Sequence, residues 1–168
     1  MDTQVADLLG GERVLGASVK SNLDLARATR KGLPAETAVQ LVAAIRGADA
    51  EGEARRLGIK SIDLRAMGPL GSLIGSLRDT ANRRNTGDAK LNIAPARLTP
   101  EQSKIVIRTA RTLAKAIDTL GDTRKAAHWL TTPNRALGGE IPINLLDTSA
   151  GAHEVETVLD RVEYGVYS

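Results

Sequence analysis

Thr99, Pro100, Glu101 and Gln102 open the most regular stretch of this chain, and that stretch fixes the fold class. A threonine that can cap, a proline at the first helical position and a glutamine at the third form a capping box. Such a box satisfies backbone donors that a helix start otherwise leaves free. From there Val106, Ala110, Leu113, Ile117 and Leu120 recur at steps of four and three, which lays one apolar stripe along a helix. Gly121 supplies the stop. No strand-like alternation of comparable length competes with this pattern.

Helix punctuation recurs elsewhere. Ser21 with Asp24 predicts a helix start and Gly32 its end. Pro34 suits a first helical position, with Ala38, Leu41, Val42 and Ile45 on one face before Gly47. Asp49 predicts a cap for a short helix through Leu57, stopped by Gly58. Leu70, Leu73, Ile74 and Leu77 have helical spacing, but Gly68, Gly71 and Gly75 interrupt them, each weakening a helix by about 1 kcal/mol relative to Ala. Residues 85–96 read as a polar loop with a turn at Asn85, Thr86, Gly87 and Asp88. Asp122 predicts a cap for a helix that carries Trp129 and Leu130. Turns follow at Thr132, Pro133 and Asn134 and at Gly138 and Gly139, then Pro142 opens a short helix through Leu146. A last helix, from about Ala150 to Tyr164, turns Val155, Val158, Leu159 and Val162 inward and stops at Gly165. The expected fold is all-α.

Composition narrows the function. The 168 residues include no Cys, which excludes disulfides, a thiol nucleophile and a Cys-based zinc site. His128 and His153 fall on different predicted helices, so neither they nor any other set predicts a metal site. A Gly-x-Ser-x-Gly elbow is missing, and the glycines at 68–75 lack the Gly-Lys-Ser/Thr ending of a phosphate loop. Glu154, Glu156, Asp160 and Glu163 read as the polar face of the last helix. We therefore expect no enzyme and no cofactor. No apolar run approaches the roughly 20 residues that cross a bilayer, and the first residues lack the pattern of a signal peptide, so a cytoplasmic protein is expected.

Charge and aromatic residues are both unevenly placed. Residues 55–97 carry nine Lys/Arg against three Asp/Glu, a balance that suits DNA phosphates. Residues 128–168 carry two against six, which suits a protein partner better. Phe is absent, and the three aromatic residues, Trp129, Tyr164 and Tyr167, all lie in this acidic end. Trp129 is large enough to anchor a small helical domain. Tyr164 and Tyr167, at or beyond the end of the last helix, are the better candidates for partner contact.

The C-terminal segment also carries a long motif. Ala126, Trp129, Leu130, Pro133, Asn134, Leu137, Gly138 and Gly139 fit A-x-x-W-L-x-x-P-N-x-x-L-G-G. Pro142, Leu145, Leu146, Thr148 and Gly151 fit P-x-x-L-L-x-T-x-x-G, and Leu159, Arg161, Val162, Gly165 and Tyr167 continue it. Upstream, Arg97, Leu98, Thr99, Pro100, Glu101 and Ser103 fit R-L-(S/T)-P-E-x-S, and Gly32, Leu33 and Pro34 fit G-L-P. In these elements the chain resembles the Xre/MbcA/ParS-type antitoxins.

That resemblance implies an antitoxin of a type II toxin–antitoxin pair, whose C-terminal domain covers the active site of a RES-domain, NAD-degrading toxin. It implies a helix-turn-helix-like DNA-binding and dimerisation region over residues 1–97 and a toxin-binding domain over 98–168. Toxin contact would fall to Arg161, Tyr164, Gly165, Val166, Tyr167 and the terminal Ser168. Trp129, Pro133, Gly138, Gly139 and Gly151 would hold that domain together. The family dimerises and represses its own operon, so operator DNA is a second expected partner. The helix-turn-helix fits two registers. One turns at Leu57, Gly58, Ile59 and Lys60, with Ser61 to Met67 starting the recognition helix. The favoured one turns at Ile74, Gly75 and Ser76 and sends Arg78, Thr80, Asn82, Arg83 and Arg84 to the groove, Arg and Asn being suited to guanine and adenine edges. The alternative function is a stand-alone helix-turn-helix regulator with no toxin partner.

Overall fold

A computed structural model describes residues 2–16, 19, 21–46, 68–84 and 97–165, without the side chains of residues 2 and 77–84. Its elements run α1 (Asp2–Leu8), α2 (Gly11–Leu15), α3 (Asn22–Lys31), α4 (Glu36–Arg46), α5 (Gly68–Arg84), α6 (Pro100–Leu120) and α7 (Thr123–Thr131). A 3-10 turn (Arg135–Leu137), a 3-10 helix (Pro142–Asp147) and α8 (Ser149–Glu163) complete them. The described residues form an all-α fold, with one isolated antiparallel bridge between Pro34 and Arg97.

The capping box produces the helix expected of it. Thr99 Oγ1 accepts the Gln102 N–H at 3.2 Å, and Gln102 Oε1 accepts the Thr99 N–H at 2.9 Å. Gly121 ends α6 with φ at 73°. On the inner face Val106, Ala110, Leu113 and Ala114 are fully buried, while Ile117 and Leu120 are partly covered at the far end. Helices α1, α3, α7 and α8 all pack on α6. Alanines at 110, 114, 126 and 152 keep the facing helices thin, so a core without Phe still closes.

One apolar core runs through the whole described fold. Val5 from α1, Leu9 just after it, Leu25 from α3, Leu41 from α4 and Leu70 from α5 join Leu130, Ile143, Leu146 and Leu159. Each fully buried Leu or Ile contributes about 1.5–3 kcal/mol over its exposed state. The core is continuous across residues 97 and 98.

Two expectations are corrected. Pro34 does not open α4, which starts at Glu36. The Leu98 N–H donates to Leu33 O at 2.8 Å and holds the chain extended there, so the helix begins only after Pro34 O has accepted from Thr37 N–H at 3.0 Å. The apolar face of α4 is as expected, with Ala38, Leu41, Val42 and Ile45 buried. The second correction concerns α5, which runs unbroken from Gly68 to Arg84. No turn separates Ile74, Gly75 and Ser76, so the favoured register is not a helix-turn-helix at that point. Leu70 and Leu73 bury against α4, α6 and the 3-10 helix, and this packing offsets the low helix propensity of the glycines. The expected helix from Asp49, the loop over 85–96 and the first register all lie outside the described residues.

Candidate functional site

The C-terminal platform begins at α7. Asp122 Oδ1 accepts the Lys125 N–H at 3.0 Å and caps the helix. That bond, above all, holds the Asp122 carboxyl below its ordinary range. Within α7, Leu130 is fully buried and Trp129 covers the core from its edge, partly exposed. The centre of the platform is aliphatic, built from Leu130, Ile143, Leu146, Val155 and Leu159.

The P-N-x-x-L-G-G motif has a direct structural account. Thr132 leaves α7 extended, at φ −114° and ψ 141°, the conformation a residue before proline prefers. Asn134 then closes a loop on itself. Its N–H donates to Glu140 O at 3.0 Å, its carbonyl accepts the Gly139 N–H at 2.8 Å, and its Oδ1 accepts the Ala136 N–H at 2.9 Å. Gly138 and Gly139 have φ of 68° and 88°, left-handed values that glycine takes without a Cβ penalty.

The next element seats α8. Thr148 Oγ1 accepts the Gly151 N–H at 3.0 Å, so the helix starts at Ser149, one residue earlier than expected. A Cβ on Gly151 would lie 2.2 Å from Leu145 O, so only glycine lets α8 sit this close to the 3-10 helix. Two stabilising residues escaped the sequence reading. Arg108 Nη1 donates to Leu146 O at 2.9 Å and Asp147 O at 2.7 Å, and Nη2 donates to Ser149 Oγ at 3.2 Å. Lys115 pairs with Asp160 at 2.6 Å, so this carboxylate is not merely part of a solvated face. Nothing in local spacing marks either contact, because each joins α6 to a segment about forty residues on.

What the platform presents is the far end of α8. Val155, Val158 and Leu159 are buried, and Val162 is half-buried. Arg161, Glu163, Tyr164 and Gly165 point outward, and Tyr164 is 76% exposed. A large, rigid amphipathic ring at an exposed helix end is the usual material of an interface anchor. Val166, Tyr167 and Ser168 lie outside the described residues. Trp129, Pro133, Gly138, Gly139 and Gly151 all sit in the platform beneath. Arg78, Thr80, Asn82, Arg83 and Arg84 occupy the C-terminal half of α5, on a different element, and their side chains are not among those described. His128 and His153 are exposed, and among the described residues no cluster of three potential ligands could hold a metal ion. No helix there is long and apolar enough to cross a membrane.

The described residues thus form an all-α fold whose C-terminal platform ends in an exposed helix end. Residues 115–165 match the family model described as the antitoxin Xre/MbcA/ParS C-terminal toxin-binding domain. The chain is 40% identical over 87 residues to an antitoxin Xre of Yersinia enterocolitica, a match that covers 51% of this chain and 54% of that protein. It is 35% identical over 88 residues to an antitoxin Xre of Photorhabdus laumondii, covering 52% and 55%, and 32% identical over 68 residues to one of Pseudomonas putida, covering 40% and 43%. The matched part thus spans about half the length of these curated relatives. Over its C-terminal segment the chain is thus similar to the Xre/MbcA/ParS antitoxins.

Proposed function

We propose that this protein is the antitoxin of a type II toxin–antitoxin pair and inhibits a RES-domain, NAD-degrading toxin by covering its active site. The observation that carries the reading is a segment matched to a toxin-binding domain that ends in an exposed Arg161 and Tyr164. Inhibition of this kind needs shape and charge rather than chemistry. The acid surplus of residues 128–168 favours a toxin cleft that must itself attract an anionic dinucleotide. Arg161, Tyr164, Gly165, Val166, Tyr167 and Ser168 form the proposed contact.

The second proposed role is repression of its own operon as a homodimer in the cytoplasm. Arg78, Thr80, Asn82, Arg83 and Arg84 are the proposed DNA contacts, now placed on one continuous helix rather than after a turn. Co-expression with the product of an adjacent toxin gene tests the main reading. Co-purification and restored growth are the expected results, and a chain that neither binds nor rescues would rule the role out.

A further inference from the structure

A cavity of about 540 Å³ lies between α3, α6 and the first two turns of α8. Its floor is apolar, made by Leu25, Ile107 and Ala152, all buried in the core. Its walls are cationic. Lys104, Arg108 and Arg111 follow one another on α6 at steps of four and three, so they share a helix face, and Arg30 approaches from α3.

These charges are largely unspent. Arg108 is held by two backbone carbonyls and the Ser149 hydroxyl, and Arg111 by Asn22 Oδ1 at 2.6 Å, all neutral acceptors. Among the described residues no carboxylate pairs with Arg30, Arg108 or Arg111, whereas Lys104 is paired with Glu101 at 2.7 Å. Glu156 is the one carboxylate in the wall. Three arginines without a carboxylate partner among the described residues therefore line, with one acid, a concave and partly apolar space. Two of the three are already fixed in position, so little freedom is lost when an anion arrives.

We propose that this cavity binds a phosphate-bearing small molecule of mononucleotide size. The guanidinium fork matches phosphate oxygens in pairs, and the apolar floor offers a face for a ring. A volume of this order is that of a small-ligand site. The cavity borders Ala152, and Tyr164 lies twelve residues further along α8, roughly 18 Å at 1.5 Å per residue, so the two sites are separate.

Isothermal titration of the full chain with AMP, adenosine, inorganic phosphate and a short single-stranded DNA tests this. AMP should give saturable binding, phosphate weaker binding and adenosine none. The double variant Arg30→Gln with Arg111→Gln should weaken AMP binding by about tenfold or more, while Arg135→Gln leaves it unchanged. Circular dichroism checks that the double variant keeps its helices, and Asn22→Ala shows whether loss of the Arg111 tether alone matters. No saturable binding of AMP up to about 1 mM would overturn the proposal, as would undiminished binding by the double variant. DNA binding that the double variant loses, with no binding of AMP, would instead make this a polymer-binding face and also overturn it, whereas DNA binding that the double variant keeps belongs to another surface and leaves the AMP result to decide.

Discussion

Leu33 and Ser103 stand seventy positions apart, yet the buried backbone N–H of Leu33 donates to Ser103 Oγ at 2.9 Å. The same hydroxyl donates to Thr99 O at 2.9 Å, so one serine joins the N-terminal G-L-P element to the first turn of α6. Arg97 Nη1 adds a bond to Gly32 O at 2.8 Å. Gly32 is required twice over, by a φ of 80° and by Leu98 O, which a Cβ would meet at 2.2 Å. Two motifs far apart in sequence are thus two halves of one clasp.

Ser103→Ala leaves the Leu33 N–H buried without its partner. Such a loss costs about 1–3 kcal/mol, and urea unfolding followed by circular dichroism should show it as a lower midpoint. An unchanged midpoint would mean that the clasp contributes nothing.

Gly151→Ala drives a methyl group against the Leu145 carbonyl, and relief requires α8 to move away from the 3-10 helix. The expected destabilisation is about 1–3 kcal/mol, although alanine is the better helix former. A stabilised variant in a thermal melt would show that the close approach is not a constraint.

The Asp122 cap carries a pH signature. Its carboxyl is lowered in the folded chain, chiefly by the Lys125 N–H. A lowered folded pKa means that the contribution is present above the unfolded value of about 4 and fades as pH falls through the folded one. Asp122→Asn keeps an acceptor but removes this titration. The difference in melting temperature between wild type and variant should therefore shrink on acidification, and a pH-independent difference would count against the assignment.

Tyr164→Ala removes an exposed ring and should leave folding stability within about 0.5 kcal/mol. Binding to the toxin should weaken by more than 1 kcal/mol if the ring is an interface anchor. Deletion of residues 164–168 should abolish growth rescue, and rescue that survives the deletion would move the contact elsewhere.

Arg83→Ala with Arg84→Ala should weaken operator binding and flatten its salt dependence by up to about two phosphate contacts. Gel shifts over a salt series measure both. If affinity and slope stay the same, the DNA role of α5 fails, and Lys60 and Arg65 become the next residues to test.

Much of this architecture is local and therefore legible. The caps at Ser21, Thr99 and Asp122, the stripe through Val106 and Leu113, and the turn at Gly138 and Gly139 depend on neighbours within a few positions. Each is written in the order of residues, because capping and periodicity are short-range effects. The exposed position of Tyr164 also followed, since a helix that buries Val155 and Leu159 must turn its other face outward.

Other features depend on packing between distant segments. It kept α5 continuous through Gly75, where local propensity favours a break, because burial of Leu70 and Leu73 outweighs the backbone entropy of glycine. Packing placed Pro34 in a bridge rather than a helix, and it brought Arg108 to Leu146 and Lys115 to Asp160. Such pairings answer to the distance between surfaces, not to spacing along the chain. Caps and periodicity mark most helix ends along the chain, whereas packing in the core decides which helices meet and overrides the local signals at Pro34 and Gly75.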